Sequence, residues 1–273
     1  MALSPTPTLS IQDVEFRYSS QGPLVFQGVN AILEPGQFIG LIGPNGTGKS
    51  TFLRLLVGLR SPSSGSVCLD GRPLSSFAKA DLAKQIAFVP QDVRMWLPFS
   101  CREVVAMGRF AHKKGLSLFE SSAGDQIVER CLEETQVSHL ADRFVNEISG
   151  GEAQRVRIAQ ALAQETGILI LDEPTSHLDI KHQVSIMELA VRLRQKGMTV
   201  IAALHDMDMA ALYCDRLLVL SEHKLKHNGT PTEVLSRETI KDVFGVDAEV
   251  ARNDKGELRV SLCRLTDTKK VTT

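Results

Sequence analysis

The chain has 273 residues, of which 43% are hydrophobic and 23% charged, with a formal net charge of −1. That length suits one large domain with a well-buried core or two small ones, and the composition is that of an ordinary globular chain. The near-neutral charge leaves no basic excess for a nucleic-acid partner, and no apolar run approaches the ~18 residues that cross a bilayer.

In chain order, residues 1–7 lack the basic and apolar regions of a secretory signal and read as a short frayed tail. Residues 14–18 alternate in polarity and predict a strand. A turn at Pro35-Gly36 follows. Residues 38–42 form a nearly continuous apolar run, the pattern of a strand buried on both faces. A glycine-rich loop comes next, then an amphipathic helix over 51–59. Residues 67–69 and the stretch after Asp70-Gly71 predict a hairpin, because Asp-Gly suits a tight primed turn. Residues 86–89 are another strand, stopped at Pro90.

Helical periodicity dominates from about 92 to 147, with helices predicted over 102–109 and 125–135, and another over 153–164. Strand patterns return at 168–171, 200–204 and 217–220. Strands and helices that alternate around buried strands predict an α/β core with a mostly parallel sheet, and the helical stretch reads as an insertion into it. The tail holds one weak strand candidate, 257–263. Five cysteines (Cys68, Cys101, Cys131, Cys214, Cys263) are scattered without a C-x-x-C pair. They are expected as free thiols of a reducing cytosol, not as a disulfide framework or a zinc site.

The strongest chemical signal is Gly43-Pro44-Asn45-Gly46-Thr47-Gly48-Lys49-Ser50, which fits G-x-x-x-x-G-K-[ST]. The glycines let the backbone curl until successive N–H groups face phosphate oxygens. Lys49 brings a point charge to the β- and γ-phosphates, the Ser50 hydroxyl reaches Mg²⁺, and the following helix adds its positive end. The motif sits between a predicted strand and a predicted helix, as this chemistry requires. The residues therefore predict ATP and Mg²⁺ as ligands. The run 168–173 is an apolar strand that ends in two acids, Asp172 and Glu173. Alone, such a pair is more often a cap or turn. Beside a phosphate loop, Asp172 is suited to hold Mg²⁺ and Glu173 to orient or deprotonate an attacking water.

The segment Ile148-Ser149-Gly150-Gly151-Glu152 resembles the L-S-G-G-Q signature of ABC transporter ATPases, and the resemblance extends over nearly the whole chain with the family's motifs in order. It implies a RecA-like P-loop core with a mostly parallel sheet, an antiparallel β subdomain and an inserted α-helical subdomain. One ATPase domain is then expected over 8–245, with its core at about 8–91 and 160–245, a helical insertion at about 92–159, and an extension over 246–273.

The same resemblance gives roles to residues that would be bland alone. Tyr18 stands where the family stacks an aromatic ring on adenine. Gln91 is the Q-loop glutamine, expected near Mg²⁺ with Ser50 and Asp172. Ser176-His177-Leu178-Asp179 resembles the D-loop, and His205 the switch histidine. ATP contacts are thus expected from Tyr18, from 43–50 and Thr51, and from Ser149, Gly150, Gly151, Glu152 and Asp179, with Glu173 and His205 catalytic. Ile148 for Leu and Glu152 for Gln depart from the signature. Ser149 and Glu152 also form a capping-box pattern, which does not account for the two glycines between them.

In the family, the signature faces the γ-phosphate held by a second copy, so the resemblance implies a head-to-tail dimer with two ATPs at its interface. It also implies permease subunits in the membrane, an indirectly served substrate-binding protein, no nucleic acid, and a place on the cytoplasmic face of the inner membrane. Residues 98–109, 178–183 and 205–216 are similar to the ATPases of importers for iron–siderophore complexes, haem or vitamin B12. Zinc or manganese importers are the alternative. Val93, Met95, Trp96, Leu97 and Phe99 cluster beside Gln91 and read either as a contact with a permease helix, through Trp96 or Phe99, or as core of the helical stretch.

Three further readings compete. A DNA-repair or chromosome ATPase would carry a long coiled coil, yet only about 100 residues without sustained heptads separate Ser50 from Ser149. A translation factor would carry two cassettes. A nucleotide-binding module without catalysis would not need both Glu173 and His205.

Overall fold

The computed structural model describes residues 6–91, 98–112 and 122–263. β1 (Leu9–Arg17) and β2 (Leu24–Leu33) pair antiparallel, and β3 (Phe38–Ile42) leads into α1 (Lys49–Leu56). β4 (Ser64–Leu69), β5 (Arg72–Pro73), the single-turn α2 (Lys79–Leu82) and β6 (Ile86–Val89) follow. Next come three helices, α3 (Cys101–Met107), α4 (Ser122–Glu134) and α5 (Gly150–Leu162). The chain then alternates through β7 (Ile168–Asp172), α6 (Ile180–Gln195), β8 (Thr199–Ala203), α7 (Met207–Tyr213) and β9 (Arg216–Ser221). It closes with β10 (Lys224–Gly229), α8 (Pro231–Val234), α9 (Arg237–Phe244) and a hairpin of β11 (Ala248–Arg252) and β12 (Leu258–Leu262).

The central sheet has six strands in the order β10-β9-β3-β8-β7-β6, all parallel except β10. A four-stranded antiparallel sheet, β2-β1-β4-β5, covers one face. Every residue of β3, β7 and β8 is buried, as their unbroken apolar runs require of parallel strands covered on both faces. Period-two geometry then divides each strand between two cores. Leu169 and Leu171 join the helices on one face, whereas Ile168 and Ile170 join α1 and the antiparallel sheet on the other. Full burial of each such side chain contributes about 1.5–3 kcal/mol.

Local chemistry sets the ends of elements. Asp70 (φ 49°) and Gly71 (φ 76°) both hold positive φ between β4 and β5, as a two-residue primed turn demands. α1 stops at Leu56, short of the expected 59. Gly58 at φ 68° lets its own N–H reach Leu55 O and the Leu59 N–H reach Arg54 O, a Schellman closure that ends the helix. α5 begins earlier than predicted, because Ser149 caps it and the two following glycines take helical conformation. Similar capping boxes start α3 (Ser100 with Glu103) and α8 (Thr230 with Glu233), each cap contributing about 1 kcal/mol.

The expected frayed tail is corrected in its described part. Thr6 Oγ1 donates to Gly197 O at 2.7 Å, and Pro7 is buried beside Gly167. The weak strand candidate at 257–263 is β12. Its partner β11 and the strands β2 and β10 were not anticipated. All five cysteines are free thiols.

Candidate nucleotide site

The parallel strands deliver the predicted residues to one edge of the sheet. The 43–50 loop follows β3, His205 follows β8, Asp172 ends β7 with Glu173 directly after it, and Gln91 follows β6. The sheet order β3-β8-β7-β6 therefore lines them up in the crevice beyond the carboxyl ends, where α/β sheets bind ligands.

The loop is built on left-handed backbone. Gly43, Gly46 and Gly48 hold φ of 152°, 81° and 92°. A Cβ on Gly43 would sit 2.2 Å from Leu220 O, and one on Gly48 2.8 Å from the Phe26 ring, so both positions exclude any side chain. Thr47 Oγ1 donates to Pro44 O at 2.9 Å and tightens the curl. Lys49 is 5% exposed and its Nζ donates to Gly43 O (2.8 Å) and Pro44 O (3.1 Å). Burial pushes its pKa down, partly offset by Glu173 and Asp172. A cation so poorly solvated is poised to accept an anionic partner.

A cavity of about 460 Å³ opens here, lined among others by Tyr18, Asn45, Gly46, Lys49, Ser50 and Glu173. Tyr18 is 58% exposed at its mouth. Its hydroxyl shares a 2.5 Å hydrogen bond with Thr51 Oγ1, its ring packs edge-on against Phe16, and the Arg60 guanidinium lies 5.7 Å from its centre. Thr51 is largely buried, yet it lines the cavity beside its bond to Tyr18. Val25 and Arg54 also line the cavity, and no sequence motif announced them.

Asp172 is 1% exposed. Ser50 Oγ donates to its Oδ1 at 2.9 Å, while its Oδ2 is buried with no hydrogen-bond partner. Burial is the largest influence on this carboxyl and raises its pKa; the Ser50 bond opposes that and Glu173 adds to it. An orphaned carboxylate oxygen beside a hydroxyl is the donor chemistry that a hard cation such as Mg²⁺ takes. The residues present fit the ion.

Glu173 is the hub. Gln91 Nε2 donates to its Oε2 at 2.5 Å, Ser176 Oγ donates to the same oxygen at 3.0 Å, and His205 Nε2 lies 2.6 Å from Oε1. Gln91 thus meets the catalytic candidate, not the Ser50–Asp172 pair with which it was grouped. Glu173 also sits at φ 50°, a left-handed conformation that a non-glycine residue adopts only when its surroundings impose it. Ser176 belongs to the predicted D-loop, yet its bond to Glu173 was not foreseen.

The signature residues stand apart from this cavity, at the start of α5. Ser149 and Gly150 are exposed. Ser149 Oγ donates to Glu152 Oε2 at 2.7 Å and its N–H to the same oxygen at 2.9 Å, while the Glu152 N–H returns to Ser149 Oγ. These bonds hold the Glu152 carboxyl below its ordinary pKa, so it is charged and occupied by the cap. Gly151 is buried, and its lack of a side chain has a local cause: a Cβ there would come within 2.5 Å of the His182 ring. Asp179 is exposed and caps α6, accepting from the His182 N–H at 2.9 Å. The adjoining Ile180 is 76% exposed.

Of the residues read as a permease contact, Val93, Met95, Trp96 and Leu97 lie outside the described residues. Phe99 is half-buried against the helical core.

A family model described as ABC transporter matches residues 26–176. The petrobactin import ATP-binding protein FpuC of Bacillus anthracis is 40% identical over 89% of this chain and 88% of that protein. The hemin import ATP-binding protein HmuV of Bradyrhizobium diazoefficiens is 40% identical over 84% of this chain and 86% of that protein. Among solved structures, an inward-facing conformation of a putative metal-chelate type ABC transporter superposes with a TM-score of 0.82 at 29% identity, covering 96% of this chain and 99% of that one. A dimeric ATP-binding cassette in a post-hydrolysis state, bound to ADP and Pi, superposes with a TM-score of 0.71 at 27% identity, covering 82% of this chain and 98% of that one.

Proposed function

The chain belongs to the ABC transporter family as an ATP-binding subunit whose ATP hydrolysis is coupled to transport, and from that premise we propose that it powers an importer of an iron chelate, haem or cobalamin. The observation that carries the cargo class is the likeness, at 40% identity over most of the chain, to petrobactin and hemin import proteins. Among the described residues no helix is long and apolar enough to cross a membrane. In this reading the path for cargo belongs to permease subunits, on whose cytoplasmic side the chain works. The division into a nucleotide-binding core, a helical insertion at 92–159 and an extension from 246 is part of the same reading.

In the proposed cycle the 43–50 loop wraps the phosphates of ATP with its N–H groups and Lys49, and Tyr18 stacks on the base. Ser50 and Asp172 would hold Mg²⁺, with Gln91 close by. Bound there, the ion would neutralise charge on the β- and γ-phosphates. Glu173 takes a proton from the attacking water, and His205 contacts the γ-phosphate or that water. Ser149, Gly150 and Asp179 act on the ATP of a second copy. Two observations support the last step. Neither Ser149 nor Gly150 lines the cavity around Lys49, although both are exposed at the N-terminus of a three-turn helix. A neighbour in fold is a dimer holding ADP and Pi. A twofold axis makes the two sites equivalent. Closure of the dimer and its release after hydrolysis would move the permease through the region of Gln91.

Uptake of labelled ferric siderophore, haem and cobalamin in cells lacking this gene tests the cargo. Loss of uptake for one compound, restored by the gene but not by its Glu173→Gln form, supports the proposal. Normal uptake of all three in the deletion strain refutes it.

A further inference from the structure

The extension after residue 246 lies beyond the segment matched by the family model, which ends at 176. Its hairpin is nevertheless bound into the fold. Ala248, Leu258 and Val260 are buried in the same core cluster as Ala210 and Cys214, and Met207 and Met209 pack against that cluster. Arg252 donates to Thr232 on α8 at 3.2 Å, and Arg237 and Lys241 of α9 flank Asp247 at 3.6 and 3.5 Å. The turn is closed by Asn253, whose Oδ1 accepts the N–H groups of Lys255 and Glu257, both at 3.0 Å. These contacts clamp the hairpin at its α8–α9 side.

Its other side grips α7. The Val260 N–H points away from the β11 ladder and donates to Asp208 Oδ1 at 2.8 Å. Asp208 is the second residue of α7, and Asp206, which caps the helix by accepting the Met209 N–H at 3.0 Å, directly follows His205. α7 is only seven residues long, so it moves as one body. A shift at Asp208 is carried through the cap to the His205 backbone, and from there to the 2.6 Å contact between His205 and Glu173.

We propose that the β11–β12 hairpin is a strap that fixes the position of His205, and that Asp208 is the positioning residue through which it acts. Burial of the apolar face of α7 alone would need no hydrogen bond from Val260 to the helix's first turn. The bond instead sets where along its axis the short helix rests, and hence how far the His205 loop reaches over the end of β7. The inference rests on the role proposed for His205.

The test compares steady-state ATP hydrolysis and ATP affinity in the full chain for Asp208→Ala, Asp208→Asn, His205→Ala and the pair His205→Ala with Asp208→Ala. Asp208 is half-buried at a helix start, so its truncation leaves the core in place. Asp208→Ala is expected to lower kcat about tenfold with ATP affinity within about twofold of the parent, because misplacement of a catalytic group costs rate rather than binding. Asp208→Asn keeps an acceptor for the Val260 N–H and should retain at least about half of the parent kcat. In the His205→Ala background, Asp208→Ala should have no further effect on the residual rate. Parent kcat in Asp208→Ala, an equal loss in Asp208→Asn, or a loss of affinity that matches the loss of rate overturns the strap. Normal turnover in His205→Ala refutes the role of His205 itself. A slow His205→Ala beside a normal Asp208→Ala refutes the strap alone.

Discussion

The two oxygens of the Glu173 carboxylate are divided between two loops: His205 approaches Oε1 at 2.6 Å and Gln91 donates to Oε2 at 2.5 Å. These side chains follow β8 and β6, the neighbours of β7 on either side, so the parallel sheet itself brings them together. The arrangement makes Glu173 the point where the nucleotide site and the Gln91 region meet. Glu173→Gln should bind ATP with near-parent affinity and lose at least about 100-fold in turnover, since it removes a general base without changing the shape of the site. Parent-level phosphate release in that variant would remove Glu173 from its role.

Lys49 now spends its ammonium on the carbonyls of Gly43 and Pro44. With phosphate present, a charge-assisted contact replaces those two bonds. Lys49→Ala is expected to weaken ATP binding by at least about tenfold in a calorimetric titration. Unchanged affinity would count against the cradle.

Asp172 predicts a conflict between stability and function. Burial holds its pKa above the ordinary value, so the folded state binds more protons than the unfolded state between the two pKa values. Stability contributed by this group therefore falls as pH rises from the unfolded pKa through the folded one, and the penalty is complete above it. Asp172→Asn should raise the melting temperature of the nucleotide-free protein at pH 7 by about 2–4 °C. The difference should vanish at a pH below the ordinary carboxylate range. The variant should also lose any stabilisation that ATP binding gains from Mg²⁺, and chelation of Mg²⁺ should stop hydrolysis in the parent. A lower melting temperature for Asp172→Asn at pH 7 contradicts this account.

Gly151 separates two explanations of the signature glycines. Glycine inside a helix is worse than alanine by about 1 kcal/mol, so Gly151→Ala should stabilise α5 if nothing touches the site. The His182 ring within 2.5 Å of the built Cβ reverses the sign. We expect Gly151→Ala to destabilise by about 1–3 kcal/mol, with much of the loss recovered in the double variant with His182→Ala. Denaturant melts of the four proteins decide it.

What could be read in advance follows from the range over which each signal acts. The 43–50 loop was legible because spacing within eight residues sets its geometry, and Gly43 and Gly48 stand where only glycine fits. Asp172 and Glu173 were legible as acids that end an apolar strand. The contact of Gln91 with Glu173 depends on β6 lying beside β7, which no local pattern states. The same holds for His182 against Gly151, two residues on different helices. β2 was missed because Gly28 at φ 58° interrupts its alternation, and β11 because Ala-Glu-Val-Ala-Arg packs one small face and carries little apolar signal. The capping function of Ser149 and Glu152 was visible in sequence, whereas the confinement of Gly151 by packing was not.

The central claim is that one chain holds only half of each hydrolytic site. The measurement that tests it most directly is the solution mass of Glu173→Gln with saturating ATP and Mg²⁺. The account predicts a shift from the 29.9 kDa monomer to a species of twice that mass, abolished by adding Ser149→Arg although ATP still binds. A Glu173→Gln protein that binds ATP and stays a monomer would contradict it.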